Sequence, residues 1–179
     1  MIRDFIRFCL APEKAYEKKN ADLSFYGMIL PCAAFMLFAL NVAIERASFI
    51  RSAGGVKIVL LAFIGLIIGA AAVGMFTLSG IIGGKTSGKA VSAVHFLGIT
   101  EFSFAFSVII ELFGLLIRLI FQANIASVFG ILGIFTAFVP IFRSYSSVCG
   151  VNGMKNLVLC SVSGILLMLG MNIVFFVSL

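Results

Sequence analysis

Three ionisable residues fall inside one strongly apolar stretch of the chain, where few charged side chains are expected. Glu101, Glu111 and Arg118 all lie within residues 96–120. A charged side chain at the centre of a bilayer costs at least about 2.5–3.5 kcal/mol on insertion scales, so such a group normally faces the bundle interior or water. Glu111 lies near the middle of the stretch and is therefore the best candidate for a functional residue.

The chemistry of Glu111 has two interpretations at this point. It is either a structural carboxyl, protonated or hydrogen-bonded, or it relays a proton, a cation or a substrate. Arg118 follows seven positions later on nearly the same helix face, but about two turns away at a rise of about 1.5 Å per residue. Direct pairing of the two within one helix is therefore awkward. Glu101 lies closer to the start of the stretch, near His95.

Patterns typical of enzymes are not met elsewhere in the sequence. Residues 83–89 contain Gly-Lys-Thr, but Ser79 stands where a phosphate-binding P-loop needs glycine, and the preceding element is an apolar helix instead of a strand. The four cysteines lack metal-ligand or redox spacing. No HExxH, serine–histidine or aspartate pair occurs in the apolar stretches. We therefore expect no enzymatic activity and no cofactor or metal.

Five long apolar stretches position these residues and predict an all-helical membrane protein. The chain is 62% hydrophobic and 11% charged, with a mean hydropathy of +1.22. About 20 apolar residues cross a bilayer as a helix, and continuous apolar runs argue against a β-barrel. We predict a segment lying in the membrane interface at 1–23 and a five-helix transmembrane domain at 24–179. The predicted spans are 24–44, 56–82, 96–120, 123–142 and 156–179.

The placement of lysine and arginine predicts the orientation. With five spans, nine of these cations share the side of the N-terminus, and Arg46, Arg51, Lys57 and Arg118 lie on the other side. This bias predicts a multi-pass protein of the cell membrane with a cytoplasmic N-terminus and an external or lumenal C-terminus. The net charge of +6 indicates contact with anionic lipid headgroups in the bilayer instead of nucleic acid.

The N-terminal segment has the pattern of an interfacial helix. Apolar residues, including Phe5 and Ile6, recur at helical spacing in residues 2–10, and the residue before Pro12 is pushed out of helical geometry. Tyr16 is placed at the headgroup level. The segment either only anchors the bundle or forms a docking surface for a cytoplasmic partner.

The second span is the richest in small residues and is expected at the centre of the bundle. Gly65 and Gly69 form one GxxxG pair, and Gly80 and Gly84 form another. Small residues let helix backbones approach closely. The pattern does not separate packing inside the chain from a homo-oligomer or contact with other membrane proteins.

Several short motifs resemble those of the Yip family, membrane proteins named for interacting with Ypt/Rab GTPases, and of its bacterial relatives. The sequence Pro12-Glu13-Lys14-Ala15-Tyr16 is similar to the motif that precedes the first span in that family. Residues 95–98, which open the third span, and the polar turn at 144–155 also resemble it. The long cytoplasmic N-terminal region of eukaryotic members is missing here, so the resemblance is to a bacterial-type member.

Two functions from different classes follow. The resemblance implies a non-enzymatic scaffold that organises the membrane or its partners, of a trafficking type. The alternative is a small transporter or channel subunit that uses Glu111, and with it Glu101. A polar path from Glu111 to both membrane faces favours the transporter, whereas a dry, packed bundle favours the scaffold.

Overall fold

The computed structural model describes Ile6, residues 28–45 and residues 47–177, with side chains described for all of these except 47–55, 95, 157, 160 and 174–177. All regular secondary structure in this part of the chain is α-helical, which confirms the predicted helical membrane bundle. The helices are α1 (Ile29–Glu45), α2 (Ala47–Thr86), α3 (Ala93–Ser103), α4 (Ala105–Phe121), α5 (Ala126–Ser147) and α6 (Met154–Val177).

Four segments are long and apolar enough to cross a membrane. They are Val56–Thr86, Phe96–Phe121, Ala126–Ser147 and Met154–Ile173, and they correspond to the last four predicted spans. The first predicted span corresponds to α1, which is apolar but only 17 residues long. Residues 24–27 of that span lie outside the described residues.

The connection expected between the first two spans differs from the structure. A loop was predicted over residues 45–55, where Arg46 and Arg51 interrupt the apolar pattern, but α2 already begins at Ala47. Arginine, serine and alanine are compatible with a helix, so the loss of apolar character marks the edge of the apolar region and not the end of the helix.

The third predicted span is interrupted at Phe104, which separates α3 from α4. Its backbone N–H donates to both the Thr100 and the Glu101 carbonyls, at 3.3 and 3.1 Å. Just before it, the hydroxyl of Ser103 donates to the Ile99 carbonyl at 2.7 Å. Serine side chains that bond back to the preceding turn often bend helices. Phe104 is fully buried, and its ring lies 5.9 Å from that of Phe35.

The centre of the bundle is α1, and the prediction that the glycine-rich second span would be central was wrong. α1 contacts each of the helices α2 to α6, and its side chains of Phe35, Phe38 and Asn41 are completely buried. α2 instead exposes large apolar side chains such as Val59 and Phe63 on its outer face. A short helix can be surrounded on all sides, whereas α2 is apolar on all faces and uses one of them for packing.

The four glycines of the two GxxxG pairs in α2 pack against other parts of the same chain. A Cβ on Gly65 would lie 2.5 Å from the Phe35 carbonyl oxygen, and one on Gly69 would lie 2.7 Å from Cα of Cys32. Gly80 lies against the Phe96 ring, and Gly84 against Val91. Both GxxxG pairs therefore serve close packing within the protein, the first against α1.

The predicted N-terminal anchor lies almost entirely outside the described residues. Phe5, Pro12 and Tyr16 are not described, and Ile6 is helical with 53% of its surface exposed. The interfacial helix over residues 2–10 stays a prediction.

Candidate functional site

Glu111 lies inside the bundle, as predicted. It is in the middle of α4, and none of its surface is exposed. Its Oε1 accepts a hydrogen bond from the hydroxyl of Ser107, one turn earlier on the same helix, at 3.0 Å. The carboxyl is therefore held by its own helix and enclosed by two others.

The space for this carboxyl is provided by a glycine of α5. A Cβ at Gly133 would lie 2.8 Å from Cγ and 3.0 Å from Oε1 of Glu111, and 3.0 Å from the Ser107 carbonyl oxygen. A side chain larger than that of glycine would therefore force Glu111 or the backbone of α4 to shift. On the side of α1, the amide of Asn41 donates to the Glu111 backbone carbonyl at 3.2 Å. Helices α1, α4 and α5 thus meet at Glu111.

Two polar atoms at this junction have no hydrogen-bond partner among the described residues. They are Oε2 of Glu111 and Oδ1 of Asn41, both buried. A buried polar group without a partner costs roughly 1–3 kcal/mol. Adding a proton to the Glu111 carboxyl therefore changes the free energy of unfolding of the protein.

Glu101 has a different role, at the N-terminus of the central helix. Its Oε1 accepts a hydrogen bond from the backbone N–H of Leu30, in the first turn of α1, at 3.1 Å. The first N–H groups of a helix have no partner within the helix, and the helix dipole favours a negative charge there. The Glu101 carboxyl therefore caps α1 from a neighbouring helix. Its Oε2 is buried with no partner in the described part of the chain.

Arg118 is not joined to either carboxylate. Its guanidinium donates to the backbone carbonyl of Gln122, which ends α4 in the left-handed conformation with φ of 53°. Cations near a helix C-terminus satisfy its last carbonyls. The structure thus places Arg118 near the end of α4. Glu111 lies about 10 Å away towards the start of the helix, seven residues at about 1.5 Å each.

Two residues of the Glu111 site, Ser107 and Gly133, were not predicted from the sequence. Ser107 carried a usable signal, because residues four apart in a helix are neighbours and a serine can bond a carboxyl there. Gly133 carried no such signal, because its role in making room for Glu111 depends on which helix lies opposite.

Among the residues that the structure describes, no group of three or more His, Cys, Asp or Glu side chains lies together as a metal ion would require. The two carboxylates are ten residues apart in the sequence and lie on different helices, Glu101 on α3 and Glu111 on α4.

Comparison with known proteins does not identify a family for this chain. The chain matches no family model, no curated protein and no solved structure. The resemblance to the Yip family therefore stays a prediction. The four long apolar helices, with large apolar side chains on their outer faces, establish a multi-pass helical membrane protein.

Proposed function

We propose that this protein is a non-enzymatic membrane scaffold, which organises lipids or partner proteins in the membrane as its resemblance to the Yip family implies. The observation that supports this proposal is the packing of Glu111. The Glu111 side chain is fully buried among Ser107, Gly133 and α1, and a Cβ on Gly133 would already crowd it.

A neutral Glu111 fits this surrounding best. Ser107 bonds its carboxyl and Asn41 bonds its backbone carbonyl, and both partners are uncharged. Burying a carboxylate without a cation costs far more than burying a neutral, hydrogen-bonded carboxyl. The carboxyl then packs against Gly133 of α5 and moves no ion.

Glu101 supports the same proposal. Its hydrogen bond to the Leu30 N–H stabilises the start of α1, the helix that α2 to α6 all contact. Both intramembrane carboxylates therefore have structural roles that need no transported ion.

We further propose that the N-terminus and the lysine-rich loops face the cytoplasm and the C-terminus faces outward or into a lumen. The support is the excess of lysine and arginine on one side. Reporter fusions at residue 179 and at Lys85 are expected on opposite sides of the membrane. The same side for both reporters contradicts the five-span arrangement.

The test of the scaffold compares ion flux with membrane organisation in one preparation. The protein is reconstituted into phospholipid vesicles that contain a pH-sensitive dye, and lipid order is followed with a second, membrane-bound dye. We expect no proton flux above that of protein-free vesicles, and a change in lipid order with increasing protein.

Two variants distinguish a scaffold from a transporter. Replacing Phe5 and Ile6 with Asp is expected to reduce the change in lipid order while the bundle stays folded, because the interfacial segment loses its apolar face. Glu111→Gln keeps the shape of the side chain but has no proton to release, so it is expected to behave as the wild type in both assays.

The alternative function is a small transporter or channel subunit. It is favoured by one observation, the unpartnered Oε2 atoms of Glu101 and Glu111, because a relay needs acceptors that can take up a proton. Proton or cation flux that the wild type shows and Glu111→Gln lacks would establish the relay and refute the scaffold.

A further inference from the structure

An open groove of about 370 Å³ lies between the end of α2 and the start of α6. α2 contributes Ile82 and Thr86 to its wall, and α6 contributes Met154, Lys155, Val158 and Leu159. The base is well packed, because a Cβ on Gly83 would lie 3.1 Å from Leu159 and 2.8 Å from Val151. The groove is therefore a shaped feature of two closely packed helices.

The groove has two chemical parts. Most of its wall is apolar, and Ile82 and Val158 each expose more than half of their surface. The hydroxyl of Thr86 donates to the Gly83 carbonyl at 2.9 Å. Lys155 is thus the cationic group of the groove, and it has no hydrogen bond or ion pair within the described part of the chain. An occupant needs an anionic head and an apolar tail.

The depth of the groove in the membrane fits such an occupant. Thr86 is the last residue of one membrane span and Met154 is the first of another, so the polar end of the groove lies at the level of the lipid headgroups. Lys85 and Lys89 lie at the same end of the bundle, the latter against Gly150. None of the acidic side chains described at this end is exposed. The local field therefore favours a negatively charged headgroup.

We propose that this groove binds an anionic phospholipid, with its phosphate beside Lys155 and one acyl chain along Ile82 and Val158. Basic pockets between transmembrane helices bind anionic headgroups in this way. The site does not depend on whether the protein is a scaffold or a transporter, because no residue of the Glu111 junction contributes to it.

The first experiment tests the headgroup. The purified full-length protein in detergent is titrated with phosphatidylglycerol or with phosphatidylcholine, and bound lipid is counted by native mass spectrometry. We expect tighter binding of phosphatidylglycerol. Lys155→Gln is expected to weaken that binding about fivefold, the equivalent of the roughly 1 kcal/mol that one lysine contributes near an anionic lipid surface.

The matched control is Lys85→Gln. It removes the same charge from the same end of the bundle, but Lys85 does not line the groove. We expect less than about a twofold change, since only the general surface charge is lowered. Equal effects of the two substitutions would show general charge attraction and overturn the proposed site.

The second experiment tests the acyl chain. Val158→Trp fills the groove from an exposed position, so the bundle is expected to fold normally and to lose the bound phosphatidylglycerol. Val162→Trp adds the same bulk one turn further along α6, where the side chain is similarly exposed but outside the groove, and it is expected to bind as the wild type does. Unchanged binding by Val158→Trp, or no preference of the wild type for phosphatidylglycerol, refutes the proposal.

Discussion

Replacing Gly133 with alanine tests whether the packing at Glu111 is as tight as the structure shows. The added Cβ would lie 2.8 Å from Cγ of Glu111 and 3.0 Å from the backbone carbonyl oxygen of Ser107. The carboxyl side chain can move to relieve the first contact. The second contact is with the backbone of α4, so the two helices must also separate.

The expected loss of stability follows from two opposing effects. Overpacking a buried contact costs about 1–3 kcal/mol. Alanine is favoured over glycine inside a helix by roughly 0.5–1 kcal/mol, which acts in the other direction. We therefore expect Gly133→Ala to lower the free energy of unfolding by about 1–2 kcal/mol.

The control is Gly74→Ala in α2. Gly74 is exposed, and an added Cβ would meet nothing within 4 Å. This variant has the gain in helix propensity without the contact, so it is expected to be as stable as the wild type or slightly more stable. The difference between the two variants measures the contact at Gly133.

The measurement is the free energy of unfolding in mixed micelles, from a denaturing-detergent titration. Near-ultraviolet circular dichroism reports unfolding through Tyr145, which is fully buried with its ring stacked 5.7 Å from Phe96.

A double variant tests whether contact with Glu111 causes the loss of stability in Gly133→Ala. Glu111→Ala removes the Cγ and Oε1 atoms that the new Cβ would meet, so Gly133→Ala should cost less in that background, with a coupling of at least about 0.5 kcal/mol. Strictly additive effects, or a Gly133→Ala variant as stable as Gly74→Ala, would refute the proposed contact.

Three further predictions concern other parts of the bundle. Glu101→Leu removes the acceptor of the Leu30 N–H and should cost about 1–3 kcal/mol of unfolding free energy, whereas Glu101→Gln keeps an acceptor oxygen and should cost less; equal losses would contradict the capping role. Gly65→Ala should destabilise the protein by about 1–3 kcal/mol in the same titration, because its Cβ would meet the Phe35 carbonyl oxygen, a backbone atom, at 2.5 Å; a neutral result would contradict this helix contact. Burial raises the pKa of the Cys149 thiol from its ordinary 9.0 to about 11, so the contribution of the neutral thiol to stability is complete below pH 9 and is lost as the pH rises through about 11. Alkylation of Cys149 at pH 8, measured by mass spectrometry, should be slow in the folded protein and fast in denaturant, and equal rates would contradict the burial.

The apolar helices were predictable because their signal is local. A run of about 20 apolar residues needs no knowledge of its neighbours to form a membrane helix, since every backbone group is satisfied within the segment. The spans at 123–142 and 156–179 therefore correspond closely to α5 and α6. The start of α2 was missed because helix formation continues through polar residues, which carry no hydropathy signal.

The sequence by itself determined that this is a helical membrane protein, that Glu111 must lie inside it, and that its glycines allow close packing. These conclusions depend on the cost of placing charge or unsatisfied backbone in lipid, which is the same for every arrangement of the helices. Only the tertiary structure decided that α1 is central, that Gly133 makes room for Glu111 and that Glu101 caps α1. Hydropathy is nearly uniform around α2, α3 and α6. The polar face of α4 indicates a side that points inward, but no local signal indicates which neighbouring helix it meets. That choice depends on contacts between residues far apart in the sequence, such as Ser79 and Ser163, whose hydroxyls lie 3.4 Å apart.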